Sequence, residues 1–158
     1  MKSLPKDIIN CLKRQSVVIV STLDSRERIH CAAKGIVGID PQGKVYVIDL
    51  YYRNTFENLK RNPTISITAV DEERFEGYSL KGKAKIVERD KIEEHIIKEW
   101  EQKVIERISS RVIKNIQVSK KTRHHPESRM PQPRYLIVIE VEDIVDLTPS
   151  HLKPPEFK

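Results

Sequence analysis

Arg53, Asn54 and Thr55 are the residues of this chain best suited by type and spacing to hold an anion. They follow the alternating run Val45 to Leu50 and precede Phe56 to Arg61, so they sit where a strand gives way to a helix. Asn54 has the chemistry of a helix N-cap, with Glu57 three residues on to answer it in a capping box. The amides of Thr55, Phe56 and Glu57 would then lack intrahelical partners, and the Arg53 guanidinium stands immediately before them. A phosphate placed there meets the helix dipole and a positive charge together. Glu57 opposes this unless its carboxylate turns back onto the cap, and an ordinary capped surface helix is the alternative.

The elements around that turn must position it. Leu4, Ile8, Ile9 and Leu12 share a face after Ser3 and Pro5, which predicts a helix over 4–14. Val17 to Leu23 reads as a buried strand, and a polar loop, Asp24 to Arg28, returns the chain into Ile29 to Ile39. Asp40-Pro41-Gln42-Gly43 has type I turn chemistry and leads into the Val45 strand. Thr64 to Val70 and Gly77 to Glu88 follow the Arg53 helix, joined by the acidic loop Asp71 to Glu76. Five strands linked mainly by hairpins argue for a barrel or sandwich rather than a doubly wound parallel sheet. Asp90 is the predicted cap of a long helix whose apolar residues, Ile92 to Ile116, recur every four positions. That spacing drifts by about 40° per step, so a break is expected at Ser109-Ser110, between helices near 91–108 and 111–117. Residues 118–133 read as a flexible basic connection, and Arg134 to Glu142 as a last strand that closes the sheet ahead of a tail to residue 158.

Composition limits the function classes. A chain of 158 residues with 38% hydrophobic and 33% charged residues suits one domain with one core. No apolar run approaches the roughly 18 residues of a membrane span, and the amphipathic N-terminus lacks a signal-peptide core, which predicts a cytoplasmic protein. From Arg111 to Arg134 seven basic residues face the single acid Glu127, so the whole net charge of +6 sits in that segment. It lacks the interleaved aromatics of a base-stacking surface, which argues against nucleic acid as the partner. Cys11 and Cys31 form no Cys-x-x-Cys pair and each reads as a small buried hydrophobe. The adjacent pair His124 and His125 has no third ligand at metal spacing, so no metal site is expected. His95 and Trp100 fall on the long helix, where packing is the default. Hydrolase, nucleotidase and zinc protease motifs are missing.

The order of these parts resembles the flavin-binding split-barrel family related to pyridoxamine phosphate oxidase. The likeness rests on the apolar strand, the Arg53-Asn54-Thr55 turn, the Asn58-Leu59 pair, the Asn62-Pro63 stop and the Ile65 to Val70 strand. Val17 to Leu23, Ile29 to Ile39 and Gly82-Lys83-Ala84 extend it over about the first ninety residues. The resemblance implies a mainly β fold with flanking helices, a six-stranded antiparallel split β-barrel, acting as a homodimer with flavin mononucleotide (FMN) in a cleft between subunits. A single FMN-binding domain over 1–158 follows, with a core barrel at 1–90, a helical segment at 91–117, the basic loop at 118–133 and a closing strand and tail at 134–158.

The resemblance also assigns residues. Arg53, Asn54 and Thr55 would hold the phosphate, while Ala32, Ala33 and Lys34 with Val47, Ile48, Asp49 and Leu50 would lie along the ring and ribityl chain. Lys34 would be a second phosphate or ring partner, or else a solvated strand lysine, and His30 a flavin neighbour. Trp100 would reach the partner's flavin if it is not simply packed. Many family members carry a lysine where this sequence has Thr55, which removes one charge from the phosphate site. The C-terminal stretch Asp143 to Lys158 has no arginine matching the family's substrate-closing element, which argues against pyridoxamine phosphate oxidation itself. No catalytic residue is assigned. Three readings stand: a flavin-dependent oxidoreductase of a small molecule, a non-catalytic flavin- or haem-related binding protein on the same scaffold, and a basic nucleic-acid module. FMN is the expected cofactor, and the resemblance leaves open a deazaflavin in its place.

Overall fold

The computed structural model describes residues 1–15, 17–117 and 129–153, without the side chains of residue 111 and residues 114–117. Six strands, β1 (Val18–Leu23), β2 (Ile29–Asp40), β3 (Lys44–Asp49), β4 (Thr64–Asp71), β5 (Glu76–Glu88) and β6 (Tyr135–Asp146), pair antiparallel in the closed order β1-β2-β3-β6-β5-β4. The last strand does close the sheet, between β3 and β5. Alternation explains the core: Val18 and Val20, Val45 and Val47, Ile65 and Ile67, and Ile137, Ile139 and Val141 all point inward and are buried.

Helices α1 (Lys6–Arg14) and α2 (Asn54–Arg61) cover opposite ends of this barrel. α1 crosses the end that carries the β2–β3 and β4–β5 turns. The Leu4 amide donates to Pro41 O at 2.8 Å, and Arg14 reaches Asp71 and Glu76 at 2.8 and 2.6 Å. Leu4, Ile8 and Leu12 drop into the core from there. α2 lies between the end of β3 and the start of β4, and Phe56 and Leu59 enter the core from its buried face. Asn58, also buried, donates to the Thr22 hydroxyl at 3.0 Å and so ties α2 to β1.

Gly82 marks a close approach. A Cβ built on it would collide with Glu140 O of β6, at the point where the β5–β6 register shifts between Lys81 and Gly82. Gly82 is thus held to glycine by backbone proximity, whereas the Lys83 side chain beside it is exposed and Ala84 is buried.

Several local expectations need correction. The N-cap of α2 is Arg53 rather than Asn54, no side chain caps it, and the capping box with Glu57 does not form. The Glu57 amide is satisfied by Arg53 O at 3.1 Å, so the first-turn donors begin one residue earlier. Asp90 lies in a 3₁₀ turn (Arg89–Lys91), and the long helix α3 starts at Glu94. It then runs unbroken to Gln117, straight through Ser109 and Ser110. The predicted break supposed that all seven apolar residues had to be buried although their spacing drifts around a straight helix. They are not all buried: Ile96 and Trp100 pack on the barrel, whereas Val112 is exposed on the far half. His95 is exposed beside Glu93, at 3.2 Å, instead of packed. Cys11 is buried as expected, but Cys31 is exposed, because it falls on the outward-facing positions of β2. Most of the basic connection, residues 118–128 with His124 and His125, lies outside the described residues, as do residues 154–158 of the tail.

Candidate functional site

The sheet forks at Lys34 and Gly35. β2 pairs with β1 only through Ile29 to Lys34 and with β3 only through Gly35 to Asp40. Past the fork β1 and β3 diverge, and Asp49, the last residue of β3, pairs with Tyr135 of β6 but with nothing on β2. Side chains bridge the gap that the backbone ladder leaves. Lys34 Nζ lies 2.6 Å from Asp49 Oδ2, and the Tyr135 hydroxyl donates to the same oxygen at 2.6 Å. Asp49 Oδ1 accepts the Leu50 and Tyr51 amides at 2.8 and 3.3 Å. The carboxylate, only 2% exposed, is therefore fully engaged, as a buried charge must be. Burial and the hydrogen bond to Asp49 push the Tyr135 hydroxyl far above its ordinary pKa, so it stays a donor.

A cavity of about 290 Å³ opens at the fork. Ala33, Lys34, Gly35, Ile48, Asp49 and Leu50 form its floor, and Trp100, Val104, Lys103 and Arg107 of α3 form its roof. The roof is placed by a β-bulge. β2 shifts register between Ile36 and Gly38, which turns Val37 outward, where with Ile48 and Leu136 it packs against Ile96, Ile97 and Trp100. Lys103 Nζ donates to the bulge carbonyls of Ile36 and Val37 at 3.0 and 3.1 Å, locking helix to strand. Gly35 leaves room for the Arg107 guanidinium, whose Nη2 would lie 3.2 Å from a Cβ built there.

A second cavity, about 230 Å³, adjoins the first through Leu50 and Tyr51. It is lined by Arg53 and Arg134, with Tyr52 and Pro131 and no carboxylate among its described lining residues. Both arginines are anchored by their neighbours. Arg53 stacks over the Tyr51 ring at 5.2 Å. The Arg134 amide donates to Asp49 O at 2.9 Å, and the Tyr52 hydroxyl approaches Arg134 O at 3.1 Å. Tyr52 stacks on Tyr135 at 5.6 Å, and Phe56 meets both rings edge-on at 4.7 and 4.9 Å, so this corner is built on a rigid aromatic cluster.

Of the residues singled out from the sequence, Ala33, Lys34, Ile48, Asp49 and Leu50 line the first cavity and Arg53 the second. Val47 points into the barrel core. Ala32 lines neither cavity, and Thr55 is buried and also lines neither. Asn54 and His30 face a separate groove of about 590 Å³ shared with Asp24, Glu57 and Arg61. Tyr135, Lys103, Arg107 and Arg134 were not found by motif or spacing. They lie 50 to 100 residues away in sequence and reach the site only through β6 pairing and the bulge. A larger groove of about 720 Å³, between the end of α1 and α3, shares Val17, Ile36, Lys103 and Arg107 with the first cavity. No helix among the described residues is long and apolar enough to cross a membrane.

Residues 4–147 match the sequence model described as pyridoxamine 5'-phosphate oxidase. No curated protein matches the chain. Among solved structures it is similar to HupZ of Group A Streptococcus, with 21% identity over 92% of this chain and 94% of that one and a TM-score of 0.66. An F420 reductase shares 13% identity over 90% and 98% of the two chains, with a TM-score of 0.58. A protein related to general stress protein 26, of the pyridoxinephosphate oxidase family, from Clostridium acetobutylicum shares 14% over 93% and 95%, at 0.55. At such identities the likeness is one of fold, and it bears out the six-stranded split barrel expected from the sequence.

Proposed function

The chain belongs to the pyridoxamine 5'-phosphate oxidase family, and on that premise we propose that the cleft at its strand fork binds flavin mononucleotide and that the protein is a flavin-dependent oxidoreductase acting on a small molecule. The observation that carries this reading is the continuity of two unlike cavities through Leu50 and Tyr51. An isoalloxazine needs a flat apolar slot with a polar edge, and a ribityl phosphate needs a cationic end. Ile48, Leu50, Trp100 and Val104 supply the first, Lys34 and Asp49 the edge, and Arg53 and Arg134 the last. Bound flavin would supply hydride exchange with the substrate. The α3 residues would keep water from one side of the ring. Lys103 and Arg107 stand between this slot and the larger groove, which gives a small substrate an approach.

A homodimer completes the reading. Ile19 and Ala33 pair in register and both are exposed, and together with exposed Val17 they make an apolar rim on the open side of the slot. A second copy laid on that rim would shield the ring from solvent. Titration of the purified protein with FMN, followed by flavin fluorescence, is expected to saturate at one FMN per chain. Light scattering is expected to give twice the chain mass. Bleaching of the bound flavin by a reduced nicotinamide would then favour an enzyme over a carrier. Failure of folded protein to bind FMN at millimolar concentration would overturn the proposal.

A further inference from the structure

The Lys34–Asp49–Tyr135 cluster does more than join β2 to β3 across the fork. Asp49 spreads its charge over four donors: Lys34, the Tyr135 hydroxyl and the Leu50 and Tyr51 amides. A lysine ammonium has three donors. Among the described residues Asp49 is the sole partner of Lys34, so two donors and part of the positive charge remain for the cavity that both residues line. The Lys34 side chain is 15% exposed and that of Asp49 3%, so the lysine is the more open of the two charged residues on the cavity they share. In so dry a setting a charge acts strongly on its neighbours.

Resting on the FMN reading above, we propose that Lys34 sets the redox poise of a ring bound in this cavity, with Asp49 and Tyr135 as the residues that hold it there and moderate its charge. A flavin ring that takes up two electrons from dithionite and one proton from solvent gains one negative charge. Lys34 favours that reduced form, and Asp49 opposes it in part.

The test compares the two-electron midpoint potential of FMN bound to the unsubstituted protein with that of variants, alongside FMN affinity and thermal unfolding. Lys34→Met is expected to weaken binding of the reduced ring about tenfold relative to the oxidised ring, a fall of about 30 mV for a two-electron couple. Asp49→Asn is expected to move the midpoint the other way, and Lys34→Arg to restore it. Should Asp49→Asn not fold, Tyr135→Phe takes its place. It removes one donor from Asp49, leaves more negative charge against Lys34 and is expected to lower the midpoint by less than Lys34→Met does. If the cluster only braces the fork, these variants lower stability and weaken both oxidation states alike. An unmoved midpoint, or Lys34→Met and Asp49→Asn shifts of the same sign, overturns this inference while leaving FMN binding intact. Absence of FMN binding to the unsubstituted protein overturns the functional reading as well.

Discussion

Replacing Arg53 or Arg134 by alanine separates a phosphate site from a structural role. Both guanidiniums are exposed on a cavity with no described carboxylate in its lining. A charge-assisted hydrogen bond to a phosphate is worth roughly 1.5 to 3 kcal/mol, and exposure argues for the lower end. Each substitution should therefore weaken FMN binding about tenfold, and the two together about a hundredfold if the sites act independently. Riboflavin carries the same ring without the phosphate and should lose little. The assay is fluorescence titration of both ligands against each variant, with Lys85→Ala as the control, because that side chain pairs with Glu140 outside the cleft. Salt gives an independent axis: FMN affinity should fall with ionic strength while riboflavin affinity stays level. The FMN to riboflavin ratio is insensitive to partial unfolding, which weakens both. Equal losses for the two ligands would refute the phosphate assignment and return both arginines to the surface.

Three further outcomes follow from the packing. Gly82→Ala forces a methyl against Glu140 O, and urea unfolding should register a loss of about 3 kcal/mol. Lys103→Met strips the donor from the bulge carbonyls of Ile36 and Val37; stability should fall by about 1 to 3 kcal/mol, and hydrogen exchange should rise first in α3. The Arg14 guanidinium holds the Asp71 carboxyl below its ordinary value of 3.8, and backbone amides of Arg28 and Arg26 lower Asp24 to about 2. Folded values below unfolded ones mean stability that is fully present above about pH 4 and lost as the pH falls toward 2. Arg14→Ala should flatten the Asp71 part of that acid transition, measured by thermal unfolding at pH 5 and pH 2.5.

The strands were legible because their alternation is strong and the barrel buries only one face. Val45, Val47 and Asp49 announce β3 in the sequence, and Asp40 to Gly43 announce its turn, which forms with the Gly43 amide 2.9 Å from Asp40 O. Helix ends were less legible. Asn54 and Asp90 have cap chemistry, yet Arg53 and a 3₁₀ turn occupy those places, because chain direction at the strand ends outweighs a preference worth about 1 kcal/mol. Half of the candidate site was visible as the stretch Ala33 to Leu50. Its other half, Tyr135, Arg134 and the α3 roof, depends on a register and a bulge that leave no local mark. Periodicity misled once: the spacing from Ile92 to Ile116 implies a break if every apolar residue is to be buried, whereas α3 runs unbroken, stays against β2 as far as Arg107 and leaves Val112 exposed beyond it.

A crystal structure of the protein soaked with FMN tests the account most directly. The account predicts the isoalloxazine between Leu50 and the Trp100 side of α3, its polar edge toward Lys34, and the phosphate within hydrogen-bond distance of Arg53 and Arg134. A flavin seated instead in the groove between α1 and α3, or a phosphate held away from both arginines, would contradict it.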